Sequence, residues 1–423
     1  ESCNKPTFFM TFCALSSAKG MDIKMTAKQE EDRLIECVAK ENYDNFCHAI
    51  MMTEAQRKDK QLVIFGAGIL GMQCYYTFRE LKVDNIVFCD NNSAKWSQKI
   101  AGCRILSPEE IAGKMEQYYI FLAIENYQQC CIQIEEMGYR PGEHYVNLTN
   151  CSEHKLLNDF YNDCAAETLI LGDCTVSAVS VADDEKKSLA DLLYQKDSVK
   201  ILALNGLYMR AYYHLFLLSL EKMPGLRKVA ILLGLDIFAE KYHLLSQNQH
   251  LSMMSELLQR SEIFAEESQA FGEEIKKRAQ EKKIFQQTAP NRDSGMSQMK
   301  IEQGRRLHMR LNYLYDLKED TESIWYLKKI LKVCEERQIE NFFLFMPINY
   351  EMGEHYFGDV FYQKYNAIRG ILTRLITEGG GQTVDLSYLL GSDDFISLRS
   401  TNEGIREAGR KKLAAQIIAN LTE

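Results

Sequence analysis

Short apolar runs that end in glycine or a small polar residue recur along the chain, and segments patterned at helical spacing separate them. In the first half, residues 61–65, 85–90, 100–105, 118–124 and 144–148 read as strands; in the second half, residues 168–171, 199–204, 229–233, 342–346 and 383–386 do. Between them, Ser107-Pro108-Glu109-Glu110 opens a helix with a capping serine and a proline at the first helical position. Ile324, Leu327, Leu331 and Cys334 put one apolar face on a helix over residues 323–338. A helix near residues 361–378 stops at Gly379-Gly380-Gly381, and Leu413, Ile417 and Leu421 recur on the last helix. Strand–helix alternation of this kind predicts an α/β protein whose parallel sheets are covered by helices on both faces.

Two groups of strands imply two cores, and 423 residues are enough for both. The pattern divides the chain into a helical lead-in over residues 1–60, a small parallel-sheet domain over 61–150, a polar connector over 151–166 and a larger doubly wound, three-layer α/β/α domain over 167–423. The larger domain carries a charged, helix-patterned insertion at about 240–322, with Leu251, Met254 and Leu258 on one face and a breaker cluster at Pro290-Asn291-Arg292-Asp293-Ser294-Gly295. A segment of that length between the third and fourth strands predicts a helical cap rather than a plain crossover.

Composition narrows the function classes. A net charge of −9 argues against nucleic acid as a partner, because phosphate backbones select basic surfaces. The 13 cysteines are odd in number and scattered, many inside apolar runs (Cys89, Cys103, Cys130, Cys131, Cys334). That usage predicts free thiols in a reducing, cytoplasmic compartment, and with no zinc spacing a structural metal is not expected. Residues 201–220 are long enough to span a bilayer but contain Asn205, Arg210 and His214, so they read as a strand, a turn and a buried helix, with no membrane span. Residues 7–15 are apolar and precede Ser16-Ser17-Ala18, yet only Lys5 stands before them, so a secretory leader is not expected and Met21 reads as an internal start. Oligomerisation is left open.

The first candidate site is Gly66-Ala67-Gly68-Ile69-Leu70-Gly71, a GxGxxG that follows a strand and opens a helix. Glycines there permit a tight turn and leave helix N–H groups facing an anion. Asp90 ends the next strand roughly 20 residues on, where a ribose hydroxyl would be bound. The same glycines serve equally a close packing of helix on strand. The half-domain, through Asp90-Asn91-Asn92, Gly102 and Ile105-Leu106-Ser107-Pro108-Glu109, resembles the Rossmann-like modules of bacterial sugar-modifying enzymes. The resemblance implies a nucleotide-sugar or dinucleotide ligand held through Gly66, Gly68, Gly71 and Asp90.

The second candidate site begins at Thr168-Leu169-Ile170-Leu171-Gly172-Asp173-Cys174-Thr175, a buried strand that ends in a sharp polar turn. Asn205-Gly206 and Gly234-Leu235-Asp236 close the next two strands in the same manner. From about residue 167 onward the chain resembles the SGNH/GDSL hydrolases and acyltransferases. In that family a serine follows Gly-Asp, a glycine and an asparagine donate to the oxyanion, and a C-terminal Asp-x-x-His activates the serine. The resemblance implies that Cys174 stands in the nucleophile position, Gly206 in the glycine position and Asp236 where the asparagine is expected. Ser397 and Ser400 stand where the Asp and His belong, so His355, beyond the fourth strand, is the substitute base, with His214 as an alternative. The implied function is an esterase or acyltransferase on a surface-polysaccharide or sugar precursor. The alternative is a catalytically degenerate protein that binds a nucleotide-sugar or a partner in polysaccharide assembly.

Overall fold

The computed structural model describes residues 37–124, 127–148, 152–162, 165–194, 198–204, 206–239, 251–259, 306–307, 309–396 and 404–422. The lead-in contributes a three-residue strand, β1 (Cys37–Ala39), as well as the expected helix, Lys40–Met52, whose Phe46, Ala49 and Ile50 are buried.

The first sheet contains β2 (Gln61–Phe65), β3 (Ile86–Cys89), β4 (Lys99–Ile100), β5 (Cys103–Leu106), β6 (Tyr118–Leu122) and β7 (Tyr145–Asn147), in the order β4-β5-β3-β2-β6-β7. All its pairings are parallel except β4 with β5. Counted from β2 and leaving out β4, this is the 3-2-1-4-5 order of a Rossmann-type winding. The single strand predicted over residues 100–105 is instead a hairpin. Ala101 and Gly102 both take positive φ, 50° and 80°, and fold Ile100 back onto Cys103. Positive φ at both positions of a two-residue loop matches the twist of the flanking strands, and Gly102 was its visible signal.

The second sheet contains β8 (Thr168–Gly172), β10 (Val199–Ala203), β11 (Lys228–Leu233), β12 (Glu340–Phe345) and β13 (Gln382–Asp385), all parallel, in the order β10-β8-β11-β12-β13. Its strands alternate between two cores. Leu169, Leu171, Val229, Ile231, Leu233 and Phe343 face the helices Met209–Lys222, Glu322–Arg337 and Asp359–Glu378. Ile170, Ala230, Leu232 and Leu344 face Leu189–Leu193 and Glu407–Thr422. Alternation of period two with both sets buried is what a parallel sheet covered on both faces requires.

The connector is not merely polar. It holds the helix Ser152–Tyr161, whose Leu156 and Phe160 join the second core. Its C-terminal carbonyls are met by Lys200, a lysine buried in β10, whose Nζ donates to Phe160 O at 3.0 Å and to Asn162 O at 2.7 Å. A cation there complements the negative end of the helix. Lys200→Met should therefore cost about 1–3 kcal/mol by stranding buried carbonyls. Equilibrium urea unfolding measures this, and an unchanged midpoint would refute it.

A short strand, β9 (Ala178–Ser180), pairs antiparallel with β1. Val179 and Val181 then pack with Val38, Tyr43 and Phe46 in the core of the first sheet. Of the predicted insertion, the helix Leu251–Gln259 buries Met253, Met254, Leu257 and Leu258 against the second core, while residues 240–250 and 260–305 lie outside the described residues. Residues 201–220 divide into β10, a turn at Gly206 and the helix from Met209. No helix among the described residues is long and apolar enough to cross a membrane. Among the cysteines, Cys74, Cys89 and Cys334 are buried free thiols, whereas Cys103, Cys130 and Cys131 are half-buried.

Candidate functional site

Cys174 stands at the carboxyl edge of the second sheet because of the two residues before it. A Cβ on Gly172 would lie 2.4 Å from Val176 Cγ2, so the glycine lets Val176 pack tightly where the chain folds back after β8. Asp173, buried, then caps the short helix Cys174–Ser177. Its Oδ1 accepts from Thr175 N at 2.9 Å and from Thr175 Oγ1 at 2.7 Å. Cys174 follows, half-buried.

On one side, Ala203 of β10 lies in register with Gly172, and Gly206 turns the chain with a φ of 77° toward Met209–Lys222. On the other side, β11 runs through Gly234 into a 3-10 turn, Leu235–Phe238, which buries Asp236. The Tyr315 hydroxyl fixes that turn by donating to Leu235 O at 2.5 Å. Cys174, Gly206 and Asp236 thus follow three adjacent strands. Counted from β8, the order is 2-1-3-4-5, and the winding reverses between β8 and β11. Cys174 and Asp236 flank that reversal, the place where open α/β sheets form a crevice.

Tyr212 belongs to this edge and was not anticipated. Its side chain is fully buried, and among the described residues its hydroxyl has no hydrogen-bond partner. Burial, and then the charges of Asp173, Asp236 and Cys174, push the phenol far above its ordinary pKa. In the sequence it reads as one more apolar-face aromatic between Tyr208 and Tyr213, with nothing to set it apart. Asn349, four residues past β12, caps the helix Tyr350–Phe357. It is buried, and its Oδ1 accepts from Met352 N at 3.2 Å and from Ser392 Oγ at 2.7 Å.

The histidines are placed differently. His355 is exposed in the last turn of the helix Tyr350–Phe357, edge-on to the Tyr356 ring with centroids 5.1 Å apart, and no described contact joins it to Cys174. His214 is buried against the rings of Tyr213 and Tyr326. Ser397 and Ser400 lie outside the described residues.

In the first sheet, the reversal of strand order lies between β2 and β6, and the GxGxxG turn sits there. Two of its glycines have packing reasons. A Cβ on Gly66, whose φ is 115°, would lie 2.6 Å from Ala123 O, and one on Gly71 would lie 1.8 Å from Gly66 O. Gly68, the N-cap of the helix Ile69–Glu80, has nothing within 4 Å of its would-be Cβ. Asp90 points into the turn itself. Its Oδ2 accepts from Ala67 N at 2.8 Å and from Lys95 Nζ at 2.9 Å, and its Oδ1 from Asn92 N at 2.8 Å. Burial opposes ionisation of this carboxyl, but these hydrogen bonds outweigh it and hold the pKa below the ordinary aspartate value. Lys95 also donates to Ala67 O at 3.1 Å, so Asp90 and Lys95 together brace the glycine turn. Beside it, Asn91 and Gln133 exchange two amide hydrogen bonds, of 2.9 and 3.0 Å, between the segments that follow β3 and β6.

The site residues therefore form two sets, Cys174 with Gly206, Asp236 and Tyr212 on one sheet edge and Gly66, Gly68, Gly71 with Asp90 and Lys95 on the other. No protein-family model matches the chain, and no curated protein matches it either.

Proposed function

We propose that the second unit is an SGNH-like esterase or acyltransferase that works on a sugar or surface-polysaccharide precursor, with Cys174 as its nucleophile. The observation that carries this reading is the flanking of the β8–β11 reversal by Cys174 and Asp236, with Gly206 on the neighbouring strand. A thiol needs less help from a base than a hydroxyl does, and a strand-to-helix turn presents it to an incoming carbonyl. The sugar side of the proposal rests on the first sheet, where the 3-2-1-4-5 winding and the open backbone at Gly68 suit a phosphate-bearing ligand. The test is a p-nitrophenyl acetate burst. Wild type should release one equivalent of p-nitrophenolate with Cys174 acetylated, and Cys174→Ala should lose that release. A burst of equal size in the variant would sink the proposal.

One observation favours a second reading, a non-catalytic binder of a nucleotide-sugar or of a partner in polysaccharide assembly. Asp173 and Asp236 put two carboxyl groups at the edge where Cys174 sits, and a carboxylate there repels the oxyanion that acyl transfer would form. Binding of a UDP-sugar with no turnover by either site is the result that reading expects.

A further inference from the structure

We infer that the unit built on the first sheet positions Cys174. The seam where β9 docks on β1, closed by the Lys186–Glu80 ion pair, fixes the turn that carries the thiol. The inference takes from the acyl-transfer reading only that Cys174 reacts, and adds which part of the chain holds it in place.

The chain changes core within a few residues of Cys174. Val176 packs with Ile170, Leu189 and Leu192 against the second sheet, whereas Val179 and Val181 are buried in the core of the first. Between these anchors stands the helix Cys174–Ser177. It passes without a linker into β9, because Ala178 is both its C-cap and the first residue of the strand. A single helical turn has little stability of its own, since closing it fixes several dihedrals for a single hydrogen bond. Its order therefore comes from β8 before it and β9 after it. β9 in turn is held by the first unit, with Ala178 opposite Ala39, Val179 opposite Val38 and Ser180 opposite Cys37.

Lys186 closes the seam from its far side. Its Nζ lies 2.7 Å from Glu80 Oε1 and 5.7 Å from the centroid of the Tyr43 ring, and it also donates to Asp183 O. The Tyr43 hydroxyl donates to the other Glu80 oxygen at 3.1 Å. Asp183 Oδ2 accepts from Ser180 N at 2.8 Å, which ties the end of β9 to the same loop. The Lys186 side chain is 14% exposed and that of Glu80 34%, so solvent screens this pair less than a fully exposed one. Glu80 ends the helix Ile69–Glu80, so the contact reaches from the first unit to the segment that leaves the Cys174 turn. Lys186 and Glu80 are on this account positioning residues for the thiol.

The test labels the folded full chain with iodoacetamide and reads each cysteine peptide by mass spectrometry. Lys186→Met and Glu80→Gln should each speed alkylation of Cys174 about 5-fold, because a turn released from the seam opens more often. The double variant should go no further, since the two residues act as one pair. Lys186→Arg should keep the wild-type rate, because a guanidinium still meets the Glu80 carboxylate. Cys74, buried in the first unit, and Cys334, buried in the second, should stay unlabelled, which separates release of the turn from unfolding. Acetylation by p-nitrophenyl acetate, divided by the alkylation rate, should fall in the same variants, because a loosened thiol is less well aimed. The inference is overturned if both single variants alkylate like wild type, if Lys186→Arg behaves as Lys186→Met does, or if Cys74 and Cys334 label together with Cys174. Wild-type Cys174 that alkylates but never acetylates would overturn the acyl-transfer reading instead, while the alkylation rates still decide the seam.

Discussion

Arg410→Met is expected to remove about 3–5 kcal/mol of stability, the range for breaking one partner out of a buried ion pair. The Arg410 side chain is 0% exposed and that of Asp183 is 7% exposed, with 2.5 Å between Nη2 and Oδ2. The guanidinium also donates to Lys187 O at 2.9 Å and to Ile405 O, so each face of it has an acceptor. The same Asp183 oxygen accepts from Ser180 N at 2.8 Å, and it would be left buried with its charge uncompensated. These contacts fasten the last helix, Glu407–Thr422, to the loop that follows β9, and Glu407 adds to them by accepting from Asp184 N and Glu185 N at 3.1 Å. Urea unfolding gives the number. A loss under about 1 kcal/mol, as for an exposed pair such as Lys40–Asp44, would show that the pair does not hold the helix. Arg410→Met combined with Asp183→Leu should recover much of the loss, since removing both charges leaves none stranded.

Gly71→Ala is the second large effect expected. Its new Cβ would lie 1.8 Å from the carbonyl oxygen of Gly66, and main chain cannot swing aside as a side chain can. The helix Ile69–Glu80 must then lift from β2, at a cost near the top of the about 1–3 kcal/mol usual for overpacking. Gly68→Ala sits three residues earlier in the same motif, with empty space around its Cβ and a φ of −111°, and should leave the unfolding midpoint where it is. The pair therefore separates packing from ligand binding. If the open backbone at Gly68 faces a phosphate, Gly68→Ala should weaken UDP-sugar binding by isothermal titration while stability holds. A Gly71→Ala protein as stable as wild type would overturn the packing account. Equal UDP-sugar affinity in Gly68→Ala and wild type would remove the ligand from this turn.

Asp90 illustrates why a motif is less than a site. Its distance from Gly71 and its place at the end of β3 suit a ribose contact, and both were visible in the chain. Its two oxygens nevertheless accept from Ala67 N, Asn92 N and Lys95 Nζ. Lys95 carried no signal, because a lysine five residues past a strand reads as surface charge until a carboxylate is found under it. The same holds for Tyr212, whose phenol is held protonated by burial and by Asp173, Asp236 and Cys174, residues that follow two other strands.

The amino-acid sequence by itself determined the α/β class, the central strands, the major helices and the polar turns at Cys174, Gly206 and Asp236. These follow from hydrophobic period, capping residues and glycines, which are local properties of the chain. Only the tertiary structure decided the strand orders, the pairing of β1 with β9, the hairpin at Ala101-Gly102, the helix in the connector and the partners of Asp90, Lys200 and Arg410. The strand orders, the β1–β9 pairing and the partners of Lys200 and Arg410 depend on groups far apart in sequence meeting in a low-dielectric interior, where an unmatched hydrogen bond or charge costs more than any local propensity supplies.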